Sequence, residues 1–184
     1  LRILGDHNVM NALATVAATR EFGVKPTEAI AAVSELARAE RWRMEVLRGP
    51  DGITVINDGY NASPDSMSAA LKTLAEITRG VHRSIAVLGE MAELGEFSDE
   101  EHDRIGRLIV RLNIDRLIVI GHAARHIHNA AGLEGSWDGE SVLVRDPDEA
   151  YDLLRNELRS GDVVLVKSSN SAGLRLLGDR IAGV

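Results

Sequence analysis

Ile85-Ala86-Val87-Leu88 and Leu117-Ile118-Val119-Ile120, with a helix-patterned stretch carrying Ile105, Leu108, Ile109 and Leu112 between them, decide the fold of this chain. Each run is apolar at every position, the pattern of a strand covered on both faces; a strand with one wet face would alternate. Two such strands separated by a helix read as a crossover unit, which within one sheet is parallel and right-handed. Ser98 and Glu101 stand three apart just ahead of the helical stretch and are expected to form a capping box.

The same alternation extends in both directions. Upstream, Ile53-Thr54-Val55-Ile56 is β-branched throughout, and Ser63-Pro64 opens a helix with Met67, Ala70, Leu71, Leu74 and Ile77 on its buried face. Downstream come a short helix over 122–131, a strand at Val142-Leu143-Val144, a helix opened by Asp146-Pro147-Asp148-Glu149, a strand at Val163-Val164-Leu165-Val166 and a last helix running to about Ile181. The expected fold class is α/β, a doubly wound, mostly parallel sheet with helices on both faces. Ahead of it Arg43-Met44-Glu45-Val46-Leu47 alternates and Gly49-Pro50-Asp51-Gly52 signals a turn, so a hairpin enters the domain. The first forty or so residues instead predict two helices. One covers 6–22, capped by Asp6 and ended by Gly23; the other follows Pro26 with Ile30, Val33, Leu36 and Ala37 buried. The chain begins with Leu1 and runs straight into that helical segment, as expected of a piece of a longer polypeptide.

Composition limits the function. The 184 residues are 45% apolar and 27% charged, with a net charge of −7, which disfavours general binding to nucleic acid or anionic lipid. There is no cysteine, which excludes disulfides, thiolate catalysis and sulfur-ligated zinc. No apolar run approaches the roughly 18 residues of a spanning helix, so membrane insertion is not expected and the cytoplasm is the default location. No G-x-G-x-x-G follows a strand and no G-x-x-x-x-G-K-[ST] occurs, so neither dinucleotide binding nor a self-contained nucleotide hydrolase is indicated.

In doubly wound folds ligands lie beyond the carboxyl ends of the strands, so the informative loops are 58–63, 89–97, 121–123 and 167–173. Lys167-Ser168-Ser169-Asn170-Ser171-Ala172-Gly173 offers a cation, hydroxyls and amides at a helix start, suited to a carboxylate or phosphate or else to simple capping. Asp58, Tyr60 and Asn61 supply an acceptor, a phenol and an amide suited to a ribose or a peptide, or an Asx turn leading to the Ser63 cap. Asn8 and Asn11 share a helix face, where their amides suit a polar ring such as adenine or merely meet solvent. Arg43 could hold a phosphate or serve a structural ion pair. Glu90, Glu93 and Glu96 cluster in one loop. His122 and His126 have metal-ligand spacing without an evident third ligand, and His102 reads as surface.

The order of these elements is more specific than any one of them. Gly5-Asp6-His7-Asn8-Val9-Met10-Asn11-Ala12-Leu13-Ala14 resembles the segment that closes the central ATPase domain of the Mur ligase family, and Arg43-Met44-Glu45 resembles the stretch entering that family's C-terminal domain. Asn57-Asp58-Gly59-Tyr60-Asn61-Ala62-Ser63-Pro64-Asp65-Ser66-Met67 is similar to the family's D-x-Y-N-A-x-P-x-S-M element, as are Val87-Leu88-Gly89-Glu90-Met91-Ala92-Glu93-Leu94-Gly95, Ser98 and His102 to the stretch that follows it.

The resemblance implies residues 1–44 as the helical end of the central ATPase domain and 45–184 as a Rossmann-like C-terminal domain. It implies an ATP- and Mg2+-dependent ligase that phosphorylates a carboxylate and lets an amine attack the acyl phosphate. Within the family it points to the reaction joining D-alanyl-D-alanine to UDP-N-acetylmuramoyl-tripeptide in peptidoglycan synthesis. Carried over by position, Asn8 and Asn11 contact adenine, Arg43 a nucleotide phosphate and Asp58 the ribose. Tyr60 and Asn61 border the dipeptide, and Lys167, Ser168 and Ser169 lie near its carboxylate. The family more often carries glycine after the lysine and arginine at Asn170. Phosphate loop, magnesium ligands and UDP-binding domain would precede Leu1, so the chain by itself is expected to hold no catalytic residue, to bind no cofactor tightly and to be inert. The alternatives are another Mur-type or folylpolyglutamate-type ligase, or a non-catalytic α/β binding module.

Overall fold

The computed structural model describes residues 1–36, 40–134 and 137–184, apart from the side chains of residues 6 and 7. Six strands, β1 (Glu45–Arg48), β2 (Thr54–Asp58), β3 (Ser84–Leu88), β4 (Arg116–Ile120), β5 (Glu140–Val144) and β6 (Val163–Lys167), form one sheet in the order β1-β2-β6-β3-β4-β5. β1 pairs antiparallel with β2, closing the predicted hairpin, and the other pairings are parallel. Seven helices are described: α1 (Asp6–Glu21), α2 (Pro26–Glu35), α3 (Pro64–Thr78), α4 (Ser98–Arg111), α5 (Arg125–Leu133), α6 (Pro147–Glu157) and α7 (Arg175–Ala182).

Successive side chains of a strand point to opposite faces, so an all-apolar strand feeds two cores. Ala86 and Leu88 of β3, with Leu117 and Val119 of β4, pack under Leu71 and Leu74 of α3 and Ile105 and Ile109 of α4. Ile85, Val87 and Ile118 enter the second core with Leu154 of α6 and Leu177 and Ile181 of α7. β5 is the exception: it is an edge strand, and Leu143 is 37% exposed. The sheet is doubly wound, as the sequence implies, with α3, α4 and α5 on one face and α6 and α7 on the other.

The helix starts divide into two kinds. Ser63 caps α3 by accepting the amide of Ser66, and Asp146 caps α6 by accepting that of Glu149, each with proline just inside. Ser98 does not cap α4. A single 3-10 turn over Gly95–Phe97 runs into that helix, Phe97 holds the cap position with helical torsions, and Glu101 pairs with Arg104 at 2.8 Å. Gly5, not Asp6, occupies the cap position of α1. Ile77 is 39% exposed, because the stripe through Met67, Leu71 and Leu74 continues at Ala75 and Thr78.

α1 and α2 pack on each other, yet Ala29 is the one residue of α2 that is buried; Ile30 is 53% and Leu36 48% exposed, Val33 is half-buried, and Ala37 lies outside the described residues. The predicted stripe therefore faces outward here. The extended segment expected from Arg43 is broken: Arg43 makes an isolated antiparallel bridge to Glu40, and Met44 is not extended. Trp42 and Met44 lie in the left-handed region, with φ of 59° and 48°, and the strand begins only at Glu45.

Candidate functional site

β6, the last strand in sequence, lies between β2 and β3, so the strand order reverses where its carboxyl end meets theirs. At such a point the loops diverge and leave a crevice. In register across this junction Asp58 of β2 stands beside Lys167 of β6, which stands beside Leu88 of β3.

Lys167 is buried, its side chain 2% exposed, and its Nζ donates to Asp58 Oδ2 at 2.5 Å and to the Asn61 carbonyl at 2.9 Å. Asp58 Oδ1 accepts the Met44 amide at 3.0 Å. Burial pushes the Lys167 ammonium below the usual lysine value; Asp58, through its charge and hydrogen bond, pulls the other way, and the Arg43 charge adds to the lowering. The lysine thus fastens the 58–63 loop to the tip of β6 with two of its three N–H donors. Ser168 and Ser169 are turned inward as well, at 0% and 4% exposure. Ser168 Oγ donates to the Ser169 carbonyl, and Ser169 Oγ accepts the Ala92 amide at 2.8 Å. Lys167, Ser168 and Ser169 also form a joint: the loop after β6 bonds Glu90 O through the Ser169 amide, tying three strand ends together.

Beside this joint opens a cleft of about 600 Å³ that brings together Asn8 and Asn11 of α1, Arg43, Asp58, Asn61 and the edge of Lys167. Asn8 donates its amide to the Leu4 carbonyl at 2.7 Å, which orients it on the helix. Arg43 sits 3.4 Å from Glu40 and stacks its guanidinium 4.5 Å above the Tyr60 ring. Tyr60 is on the rim under Arg43 rather than in the cleft wall. The cleft mixes apolar surface from Met44, Ala69 and Ala70 with amides, the acids Glu40, Asp58 and Asp65 and the surface cation Arg43, which suits a flat ring with exocyclic amines and an attached anion at Arg43.

The remaining candidates lie elsewhere. Glu90 accepts Ser171 Oγ at 2.9 Å, and neither it, Glu93 nor Glu96 lines the cleft. His122 leans on Arg125 and His126 faces Asp99 at 3.3 Å, so the pair does not converge; among the described residues no group of three or more metal-ligating side chains assembles. His102 is 1% exposed, not surface. Its Nε2 accepts the Met91 amide at 2.9 Å and Nδ1 meets the Ser98 carbonyl at 2.6 Å, which fixes the proton on Nδ1. Sequence reading also missed Asp179, whose signal is a carboxylate placed among Leu177, Gly178, Ile181 and Ala182 on a buried helix.

A doubly wound domain with a leading antiparallel strand, and a cleft shared with a preceding helix, define a class: the chain belongs to the Mur ligase, glutamate ligase domain family, which residues 42–170 match. Within it, the UDP-N-acetylmuramoyl-tripeptide–D-alanyl-D-alanine ligase of Mycobacterium leprae is 48% identical over all of this chain, which covers 38% of that protein. The crystal structure of MurF from Acinetobacter baumannii superposes with a TM-score of 0.83 at 28% identity, covering 98% of this chain and 38% of that one. MurF ligase from Thermotoga maritima in complex with ADP gives a TM-score of 0.79 at 24% identity, over 98% of this chain and 39% of that one, and shares the fold. The chain thus spans under two fifths of the length of these relatives.

Proposed function

We propose that this chain is the C-terminal part of an ATP-dependent amide ligase that adds D-alanyl-D-alanine to UDP-N-acetylmuramoyl-tripeptide in peptidoglycan synthesis, working in the cytoplasm. Residues 1–44 belong to the end of the central ATPase domain and 45–184 form the C-terminal domain. The observation that carries the reading is the cleft in which two asparagines of α1 face Arg43, Asp58 and Asn61 of the sheet domain. Support for the substrate pair comes from the name of the Mycobacterium leprae relative.

In this reading ATP supplies the phosphoryl group that turns the tripeptide carboxylate into an acyl phosphate; the dipeptide amine then displaces phosphate at the carbonyl carbon and loses a proton. Asn8 and Asn11 receive the adenine and Arg43 a nucleotide phosphate. Asp58 accepts a ribose hydroxyl: Lys167 and the Met44 amide use one position on each oxygen, and a carboxylate has about four. Tyr60 and Asn61 border the dipeptide, and Lys167 holds Asp58 and Asn61 in place. The phosphate cradle and Mg2+ site, which neutralise charge in such a transfer, fall to the rest of a longer polypeptide.

The test is an assay of the longer polypeptide carrying this chain, with ATP, Mg2+ and UDP-N-acetylmuramoyl-tripeptide. Phosphate release that depends on D-alanyl-D-alanine and not on single amino acids is expected; dependence on glutamate or another single amino acid would assign a different ligase. The 184-residue chain alone is expected to form no amide, and amide formation by it would overturn the division of labour.

A further inference from the structure

We propose that Asp179, on α7 and outside the cleft, is a positioning residue that aims Arg43. Arg43 stands between two non-glycine residues in the left-handed region, Trp42 and Met44, with φ of 59° and 48°.

 Backbone of that kind relaxes unless its neighbours hold it. Here three backbone groups of the kink are held. The Trp42 amide donates to Glu45 Oε2 at 3.0 Å, the Trp42 carbonyl accepts the Tyr60 amide at 3.2 Å, and the Met44 amide goes to Asp58.

Those bonds hold the backbone from the sheet side; the Trp42 side chain is held from the helix side by Asp179. The indole Nε1 donates to Asp179 Oδ2 at 2.9 Å, and Arg41 donates to the same oxygen at 2.8 Å. The ring lies between the guanidinium groups of Arg41 and Arg175, 4.8 Å and 5.1 Å from its centroid. The other oxygen, Oδ1, accepts Asn57 Nδ2 at 3.0 Å, one residue before Asp58. α7 can come this close to β2 because position 178 is glycine: a Cβ there would stand 2.4 Å from the Asn57 amide carbon. Asp179 therefore connects the strand that carries Asp58 to the kink that presents Arg43. Rotating the indole away would swing the adjoining residue off the Tyr60 ring and out of the cleft.

The proposal deepens the nucleotide reading of the cleft and rests on it only for what Arg43 meets, so the experiment separates the two. In the 184-residue chain labelled at arginine, the Arg43 Nε–H resonance carries a ring-current shift from Tyr60, assigned by its collapse in Tyr60→Leu. Asp179→Ala is expected to remove most of that shift and to speed exchange of the Met44 amide by about tenfold or more, while β3 and β4 amides keep their protection. Trp42→Phe, which leaves α7 intact and deletes only the indole donor, is expected to do the same and decides the matter if Asp179→Ala does not fold. Retention of the Arg43 shift and of Met44 protection in the folded variants would overturn the proposal. ADP is then titrated into the longer polypeptide carrying this chain, labelled in the same way: failure to perturb Arg43 there counts against the nucleotide reading, while the resonance shift in the 184-residue chain still judges Asp179.

Discussion

Asp58 and Lys167 face each other where water is almost excluded, and the cost of separating them is set by what the survivor is left with. In Asp58→Asn the Lys167 ammonium keeps the Asn61 carbonyl but loses its counter-charge, and the chain is expected to lose about 3–5 kcal/mol in urea unfolding. Asp58→Asn combined with Lys167→Met should lose less than the two single changes added together, because neither buried charge then remains. The same lysine sets a pH dependence. Its folded value lies below its ordinary one, so just below the ordinary lysine value the unfolded chain holds a proton that the folded chain has begun to release. Stability from this group is therefore penalised below the folded value and recovers as pH rises through the window. Unfolding midpoints measured as pH is raised toward the ordinary lysine value should show a more positive slope for the unsubstituted chain than for Lys167→Met. Sequence reading marked both residues but gave them separate tasks, since nothing in a linear chain shows that positions 58 and 167 share a register.

Helix starts show where local patterns suffice and where they fail. Ser63-Pro64 and Asp146-Pro147 were readable because proline removes an amide and sets the first torsion, leaving one residue able to cap. Ser98 is followed by Asp99 rather than proline, and a preceding turn carries the chain into the helix before it, so the serine does not cap. Between helices α4 and α5 the decisive residue is Gly106, where a Cβ would stand 2.3 Å from the Ile127 carbonyl. Gly106→Ala is expected to part the helices and cost about 1–3 kcal/mol in denaturant unfolding despite better helix propensity. Gly132→Ala in α5, where a Cβ meets nothing within 4 Å, is the control and should gain up to about 1 kcal/mol.

At the scale of the whole chain the sheet domain and the leading helix pair differ in kind. The sheet has two cores and strands β3, β4 and β6 buried throughout, whereas Val9, Met10, Leu13 and Ile30 of α1 and α2 are exposed. Hydrogen exchange of the 184-residue chain should therefore show α1 and α2 amides exchanging at least about tenfold faster than those of β3 and β4. The fold class was legible because apolar runs without alternation have one good explanation, a sheet covered on both sides. The burial of α2 was not, since periodicity reports which face is apolar and says nothing of what lies against it.

β6 is the last of the six strands to leave the ribosome, yet it forms the seam between β2 and β3. Until residues 163–167 emerge, the earlier strands exist as two ribbons, β1 with β2 and β3 with β4 and β5, each with an unsatisfied inner edge. Closure joins segments about a hundred residues apart and creates the Asp58–Lys167 contact in the same event, so the crevice is born only once β6 has been made.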